Sequence, residues 1–494
     1  MNYIDMTKKI IDECCFTTYT RDFSNEGGER HDGGKLSGDP AHVCHRGNFF
    51  SSQLLNSQFY KIQGVRSRRN YFHDLEFIKF LRNYKEVIQV PFEDAMKSDK
   101  KVILEMEMHA CTESPRPLES IKEKFFDDLF QDKNILEKMR NGTFFIFLYY
   151  GYEADDFSKR LFEHDKFNSH YEMFETVLTE YDLPSNSLII LSSNLNGYSY
   201  LENYSFKNKF VNVIYDNATE FQAFKHIPRG GFQDYTFDEY IENIKKADKK
   251  LLRISRTTHP YRDCMLYFLA QNNYIDDSLI DHTFFQSDYI NEFYRGKTEW
   301  IKSQARINNN EITNGSDILE IEGLKDDEII ENIQKQVPFI ASEYERKYGV
   351  REGAHPPNEA IPFDVYKKTF FSWVSTSASD QITKTFINMS TFNPVLHFHP
   401  LVWFGEPKTI QRFKEYGYKS YDWLVDESYD AETHMLKKWN MNIQQIHKIM
   451  KTPTETLINL IIENRDVLEH NQNLLYKCES INRMLTKFYG IINE

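Results

Sequence analysis

No stretch of this 494-residue sequence stays apolar for the length of a membrane span, and the mean hydropathy is −0.61. Positive charge is also in deficit. Sixty Lys and Arg face 74 Asp and Glu, for a net charge of −14 and an isoelectric point near 5.7. That balance excludes a chain dedicated to duplex binding through a basic face, while leaving room for a local basic cleft. Cysteine is scarce and scattered: Cys14, Cys15, Cys44, Cys111, Cys264 and Cys478 form no CxxC pair. Reduced thiols are the simplest account, and no disulfide framework is expected. Met1 to Asp5 lacks a basic segment followed by an apolar one, so no secretory signal is expected and a cytoplasmic location is. A nucleoside-triphosphate P-loop is missing too. The glycine-bearing run Gly27 to Lys35 is followed by Leu36 rather than Ser or Thr, and it reads as a polar loop. His42-Val43-Cys44-His45 has no second ligand pair at zinc spacing, and no metal is expected. No internal repeat is visible.

What the sequence does have is alternation. Phe144 to Tyr150, Leu188 to Leu191, Phe210 to Tyr215, Leu251 to Ile254 and Leu401 to Phe404 are short apolar runs of buried-strand length. Lys101 to Leu104 is a weaker case. Between the second of these and Phe144 lies an amphipathic helix with Phe174, Val177, Leu178 and Tyr181 on one face. Met265, Phe268 and Leu269 share a side of another. Strands and helices of these lengths in alternation predict an α/β fold with a mostly parallel sheet.

The most legible stretch is Phe371 to Asp430. After the strand at Leu401–Phe404, Gly405-Glu406-Pro407 breaks the run, with the proline suited to a first helical turn. Ile410, Phe413 and Tyr416 follow at helical spacing, Gly417 stands where a left-handed C′ glycine belongs, and Tyr418 to Tyr421 alternates as a strand would. A turn between a strand's carboxyl end and a helix's amino end is where open α/β sheets bind phosphates; it is equally one of several such turns in any α/β fold. The loop Ser255 to Pro260 occupies a similar place and brings Arg256 and Arg262. Two guanidiniums there suit a diphosphate through bidentate, charge-assisted bonds, or else are solvated. His397-Phe398-His399 invites a metal reading, but i and i+2 histidines in a strand share a face by periodicity alone, and one is more simply a core histidine. Residues 305 to 345 are polar and acidic. Thr452-Pro453-Thr454-Glu455 has the form of a capping box before a long helix through Leu457, Leu460, Ile461 and Leu468.

Several of these segments, in order, resemble a family of predicted GT-B-type glycosyltransferases common in phages and other viruses. Tyr152-Glu153 looks like the family's YE turn. Leu252 to Arg262 is similar to its LxxNRxxRxHR segment, with Arg256 and Arg262 matching, while Ser255, His259 and Tyr261 replace the asparagine, middle arginine and histidine. His399-Pro400-Leu401, Gly405-Glu406-Pro407 and Tyr416 to Tyr421 resemble HPF…GxPG…LGFxTF. Asp426 to Asp430 matches DESYD without change, and His470-Asn471 also fits. The family's EKTFKP falls on Met389 to Pro394, where Thr391, Phe392 and Pro394 fit but Met389, Ser390 and Asn393 replace the glutamate and both lysines; Lys384 is a nearby cation outside that register.

The resemblance, over roughly residues 140 to 475, implies a GT-B-like arrangement of two Rossmann-like domains facing a cleft. Residues 1–140 would be an N-terminal region that can belong to the acceptor domain, 141–245 the acceptor domain, 246–450 the donor-nucleotide domain and 451–494 a C-terminal helix packing across domains. It implies transfer of a sugar from a nucleotide-sugar donor, with no bound metal or other cofactor. The acceptor stays open among a modified DNA base, a glycan and a protein, and the location would be host cytoplasm if the source is viral. Donor binding would fall to Arg256, Arg262, Ser390, Gly405, Asp426 and Glu427, and the base to Glu153 or Asp155. These acids can equally be surface residues. The loss of charge at Met389 and Ser390 leaves a second expectation, a non-catalytic scaffold or binding protein on the same fold.

Overall fold

The computed structural model describes residues 3–17, 30–31, 35–36, 44–46, 90–108, 118–150, 157–158, 166–195, 197–217, 236–255, 265–266, 268–269, 272–282, 363–376, 385, 387, 389–477 and 479–494. They divide into two compact units, Met1–Lys225 with Cys478–Glu494, and His226–Lys477. Each is an α/β unit on a sheet whose main strands run parallel.

The strands of the first unit are Cys14–Thr17 (β1), Arg30–His31 (β2), Lys35–Leu36 (β3), Cys44–Arg46 (β4), Lys101–Met108 (β5), Phe144–Tyr150 (β6), Leu188–Ser192 (β7) and Asn212–Tyr215 (β8). The sheet order is β1-β5-β6-β7-β8, all parallel, and β4 pairs antiparallel with β5. β6 lies mid-sheet between β5 and β7, and Phe144 to Leu148 are fully buried. A strand covered on both faces needs apolar residues at every position, which is why this run is continuous rather than alternating. The β2–β3 pair is antiparallel and takes in Arg30, His31 and Lys35 of the run expected to be a loop. The helix His170–Glu180 buries Phe174, Val177 and Leu178 and starts at Ser169, whose Oγ accepts from the Glu172 amide at 3.0 Å.

Residues 478–494 complete this unit from the far end of the sequence. In the helix Glu479–Ile492, Phe488 packs edge-on against Phe147 of β6 at 5.6 Å. Tyr489 donates to Glu13 at 2.7 Å, and Lys101 donates to the Ile492 carbonyl at 2.7 Å. Arg483 grips buried Asp216, just past β8, with Nε at 3.1 Å and Nη2 at 3.0 Å.

The second unit has Leu251–Ser255 (β9), Ser278–His282 (β10), Phe371–Ser375 (β11) and Leu401–Phe404 (β12), all parallel in the order β10-β9-β11-β12. The helix Met435–Lys451 is pinned to this sheet by one amide. Asn442 Oδ1 accepts from Trp373 Nε1 at 2.9 Å, its Nδ2 donates to the Trp403 carbonyl at 3.1 Å, and Trp439 stacks on Trp373.

Four local expectations are corrected. Tyr418–Tyr421 is not a strand: Asn471 replaces the neighbouring strand, accepting from Lys419 N at 2.7 Å and donating to Lys419 O at 2.8 Å, while His470 bonds the Gly417 carbonyl at 2.8 Å. The helix after Pro407 begins at Thr409, because Lys408 takes φ +68°; Gly417, at φ +91°, ends it as expected. Thr452 forms no capping box, since its hydroxyl donates back to the Lys448 carbonyl at 2.9 Å and Pro453 occupies the N-cap. The long C-terminal helix is three, Thr454–Glu463, Arg465–Lys477 and Glu479–Ile492. Asn464 closes the first by donating to the Leu460 carbonyl at 2.9 Å.

Candidate functional site

The strand order of the second unit reverses between β9 and β11. In a doubly wound sheet, the connections from these two strands leave in opposite directions, and a crevice opens at their carboxyl ends. Those ends are Ser255 on β9 and Ser375-Thr376 on β11, with Gly405-Glu406 one strand further on. Beneath them Arg253 of β9 is buried, donating Nη1 to the Ile254 carbonyl at 2.8 Å and Nη2 to Ser375 Oγ at 3.3 Å.

Gly405 is small because of packing. A Cβ there would meet Thr376 Oγ1 at 3.2 Å and Thr409 Oγ1 at 3.3 Å. Glu406 is fully buried. Its Oε2 accepts from Thr376 Oγ1 at 3.1 Å and Thr409 Oγ1 at 3.3 Å, tying the ends of β11 and β12 to the following helix. Burial pushes this carboxyl up to about 8 despite those bonds.

The amino end of the Thr409–Glu415 helix is already occupied. Thr409 N donates to Glu406 O at 3.3 Å, and Lys408 N to Asp430 O at 2.8 Å. Gln411 N donates to Asp430 Oδ2 at 3.0 Å. Lys408, in the left-handed region, makes no side-chain cap, so Asp430 caps this helix from a distance. Of the amides that would cradle a phosphate, Gln411 N is taken by the protein's own carboxylate, and Thr409 N and Lys408 N by backbone carbonyls. Asp430 is nearly buried, and burial lifts its carboxyl above the usual range against the pull of Lys438.

The remaining expected residues fall as follows. Glu427 Oε1 accepts from Tyr421 N at 2.9 Å and its Oε2 lies 3.1 Å from Lys414 Nζ; burial raises its carboxyl. Asp426 is the exposed N-cap of the 3-10 turn Glu427–Ala431, accepting from Ser428 N at 2.9 Å, and that bond holds its carboxyl low. Ser390 lies in the first turn of the helix Met389–Leu396. Glu153, Asp155, Arg256 and Arg262 lie outside the described residues. The structure therefore gathers Gly405 and the DESYD segment around one helix end, with Asp430 rather than Glu427 in contact with it.

Lys438 escaped the sequence reading. It stands in the first turns of an apparently surface helix, in the run Lys437-Lys438, yet it is fully buried. Burial lowers its ammonium to about 8, against attraction from Asp430, Glu406 and Glu432. Its signal was positional: Lys438 precedes Trp439 and sits four residues before Asn442, both on the sheet-facing side. His397 and His399 are both buried, in a turn rather than a strand. His399 Nδ1 bonds Ser372 Oγ at 2.7 Å, and burial holds both imidazoles down at about 3. Among the described residues no group of three or more His, Cys, Asp or Glu is arranged to hold a metal, and no helix is long and apolar enough to cross a membrane.

No family model and no curated protein matches the chain. Among solved structures, it is similar to the crystal structure of an alpha,alpha-trehalose 6-phosphate synthase from Burkholderia multivorans, with TM-score 0.36 and 8% identity over 97% of this chain and 96% of that one. It is also similar to the trehalose-6-phosphate phosphatase N-terminal domain of Candida albicans, with TM-score 0.32 and 9% identity over 96% of each chain. Likeness at this level carries no functional argument, which rests instead on sheet topology and on residues.

Proposed function

We propose that the chain is a glycosyltransferase of GT-B type, moving a sugar from a nucleotide-sugar donor to an acceptor, with the donor at the carboxyl rim of the second sheet. The observation that carries this reading is the reversal of strand order between β9 and β11, which sets Ser375, Thr376 and the Gly405-Glu406 turn at the rim where such sheets take nucleotides. It agrees with the resemblance of the Leu252–Arg262 and DESYD segments. The leaving group is a nucleoside diphosphate, so the reaction needs positive charge to stabilise it. Since Asp430 fills the helix end beside Gly405, that charge falls to Arg256 and Arg262. Ser390 takes part in donor binding, Gly405 keeps the turn tight, and Asp426 and Glu427 shape the wall. Glu153, with Asp155 next, is the base toward the acceptor hydroxyl in an inverting reaction.

A second reading has specific support. Met389 and Ser390 remove the family's charges, and the Asp430 carboxylate occupies the helix end. Both favour a non-catalytic binding protein on the same fold. A thermal-shift screen against UDP, GDP, CMP and their sugars, wild type beside Arg262→Ala, separates the two. Ligand at about a hundredfold over its Kd adds roughly 2.7 kcal/mol to stability. A shift with one nucleotide that disappears in the variant supports the transferase; no shift with any, in a folded sample, supports the scaffold.

A further inference from the structure

Two charged side chains at the carboxyl rim lack what buried polar groups almost always have. Glu406 Oε1 and Lys438 Nζ are buried, with no hydrogen-bond partner among the described residues. They stand on the two elements that flank the end of β12. Glu406 is in the turn that follows the strand, and Lys438 is in the first turns of the helix that Asn442 fastens to the Trp403 carbonyl. The groups around them are few. Glu406 meets its own backbone amide and the hydroxyls of Thr376 and Thr409, and feels Lys438. Lys438 feels Asp430 first, then Glu406 and Glu432. Asp430 is engaged with the helix end, where Lys414 also acts on it, and Glu432 is paired with Lys437 at 2.5 Å. His434, the N-cap of the same helix, accepts from Lys437 N at 3.4 Å. Among the described residues no carboxylate lies within ion-pair distance of the Lys438 ammonium, and the pull of these acids on it acts at longer range.

We propose that Glu406, which holds the Gly405–Pro407 turn, and Lys438 are two buried titrating groups at the end of β12 that make the second unit, with the candidate donor site built on that turn, sensitive to pH. The coupling to donor binding rests on the reading given under Proposed function; the pair itself does not. Well below pH 8 Glu406 is a carboxylic acid and Lys438 an ammonium; well above it they are a carboxylate and an amine. The passage releases one proton from each to water and breaks no other bond. From the ordinary glutamate value of 4.5 up to about 8, the folded chain keeps a proton that the unfolded chain has lost, so stability falls as pH rises. From about 8 to the ordinary lysine value of 10.5, the folded chain has lost a proton that the unfolded chain keeps, so stability rises. The pair therefore adds a dip near pH 8.

The test is the unfolding midpoint of the full chain, without ligand, at closely spaced pH values from about 6 to about 10. It is followed by tryptophan fluorescence in wild type, Glu406→Gln, Lys438→Met and the double variant. Glu406→Gln should remove the falling limb and Lys438→Met the rising one, each difference from wild type changing by at least about 2 °C across its limb. The double variant should be flat relative to wild type. Curves that stay parallel overturn the proposal, because a merely structural role lowers the midpoint equally at every pH. If Lys438→Met does not fold, Lys438→Arg serves, since a guanidinium does not titrate in this range and must also abolish the rising limb. A nucleotide screen that fails while the limbs behave as stated would sink the donor-site reading and leave the pair standing; the reverse outcome would sink the pair alone.

Discussion

Asp430 offers a test in which two physical effects oppose each other. Its carboxylate caps the Thr409–Glu415 helix through Gln411 N at 3.0 Å. Negative charge at a helix amino end is favourable by about 0.3–1 kcal/mol. Burial works against it, and the carboxyl sits above its ordinary range, so the balance is against ionisation in the fold. The hydrogen bond should then matter more than the charge. Asp430→Asn keeps an oxygen acceptor of the same reach and is expected within about 0.5 kcal/mol of wild type at neutral pH. Asp430→Ala leaves the amide without its cap and should cost about 1–2 kcal/mol. All five tryptophans, Trp300, Trp373, Trp403, Trp423 and Trp439, fall within His226–Lys477, so their fluorescence in a urea titration follows this unit separately. If the asparagine variant proves as unstable as the alanine one, charge rather than hydrogen bonding holds the helix end, and the account of the Asp430 cap is wrong.

In the first unit, Gly197→Ala would place a Cβ 1.9 Å from the Tyr215 ring, which is buried and hydrogen-bonded to Tyr171; calorimetry should show a loss of about 3 kcal/mol or more. Arg483→Ala leaves the buried Asp216 carboxylate without its clamp. With Arg483 partly exposed the loss should be about 1–3 kcal/mol, below that of a fully buried pair, and the last helix should become the first site of tryptic cleavage. The neutral imidazoles of His397 and His399 contribute stability that is complete above about pH 6.5 and is lost as pH falls toward about 3. His397→Phe, retaining a ring against Tyr366, should move the acid-unfolding midpoint to lower pH; an unchanged midpoint would remove that histidine from the account.

Strands spelled as unbroken or nearly unbroken apolar runs were plain in the sequence: β6, β7 and β12 stand where their runs predict, and so does β9 despite its buried Arg253. β1 escaped because Cys14-Cys15-Phe16-Thr17 is four residues long inside an otherwise unpatterned segment. β11 escaped because its Ser372 and Ser375 look solvent-facing, whereas they bond His399 and Arg253. Charge was the least legible feature of the candidate site. The acids of DESYD matched a ligand-binding motif residue for residue, but a carboxylate that accepts from Tyr421 N or Gln411 N has the same spelling as one that accepts from a sugar. Lys438 and Glu406 read as solvated charges because only the packed helix and sheet determine that they are enclosed.

The membership of residues 478–494 in the first unit bears on how the protein is made. Arg483 meets Asp216 across 267 positions of chain, and everything between Lys225 and Cys478 belongs to the other unit. During synthesis the first sheet therefore leaves the ribosome long before the helix that covers Phe147, while the second unit has all its residues in sequence and can close on its own. The order of maturation should run opposite to the order of translation. A released chain ending at Lys477 would carry a protease-resistant second unit and a first unit still open to a chaperone.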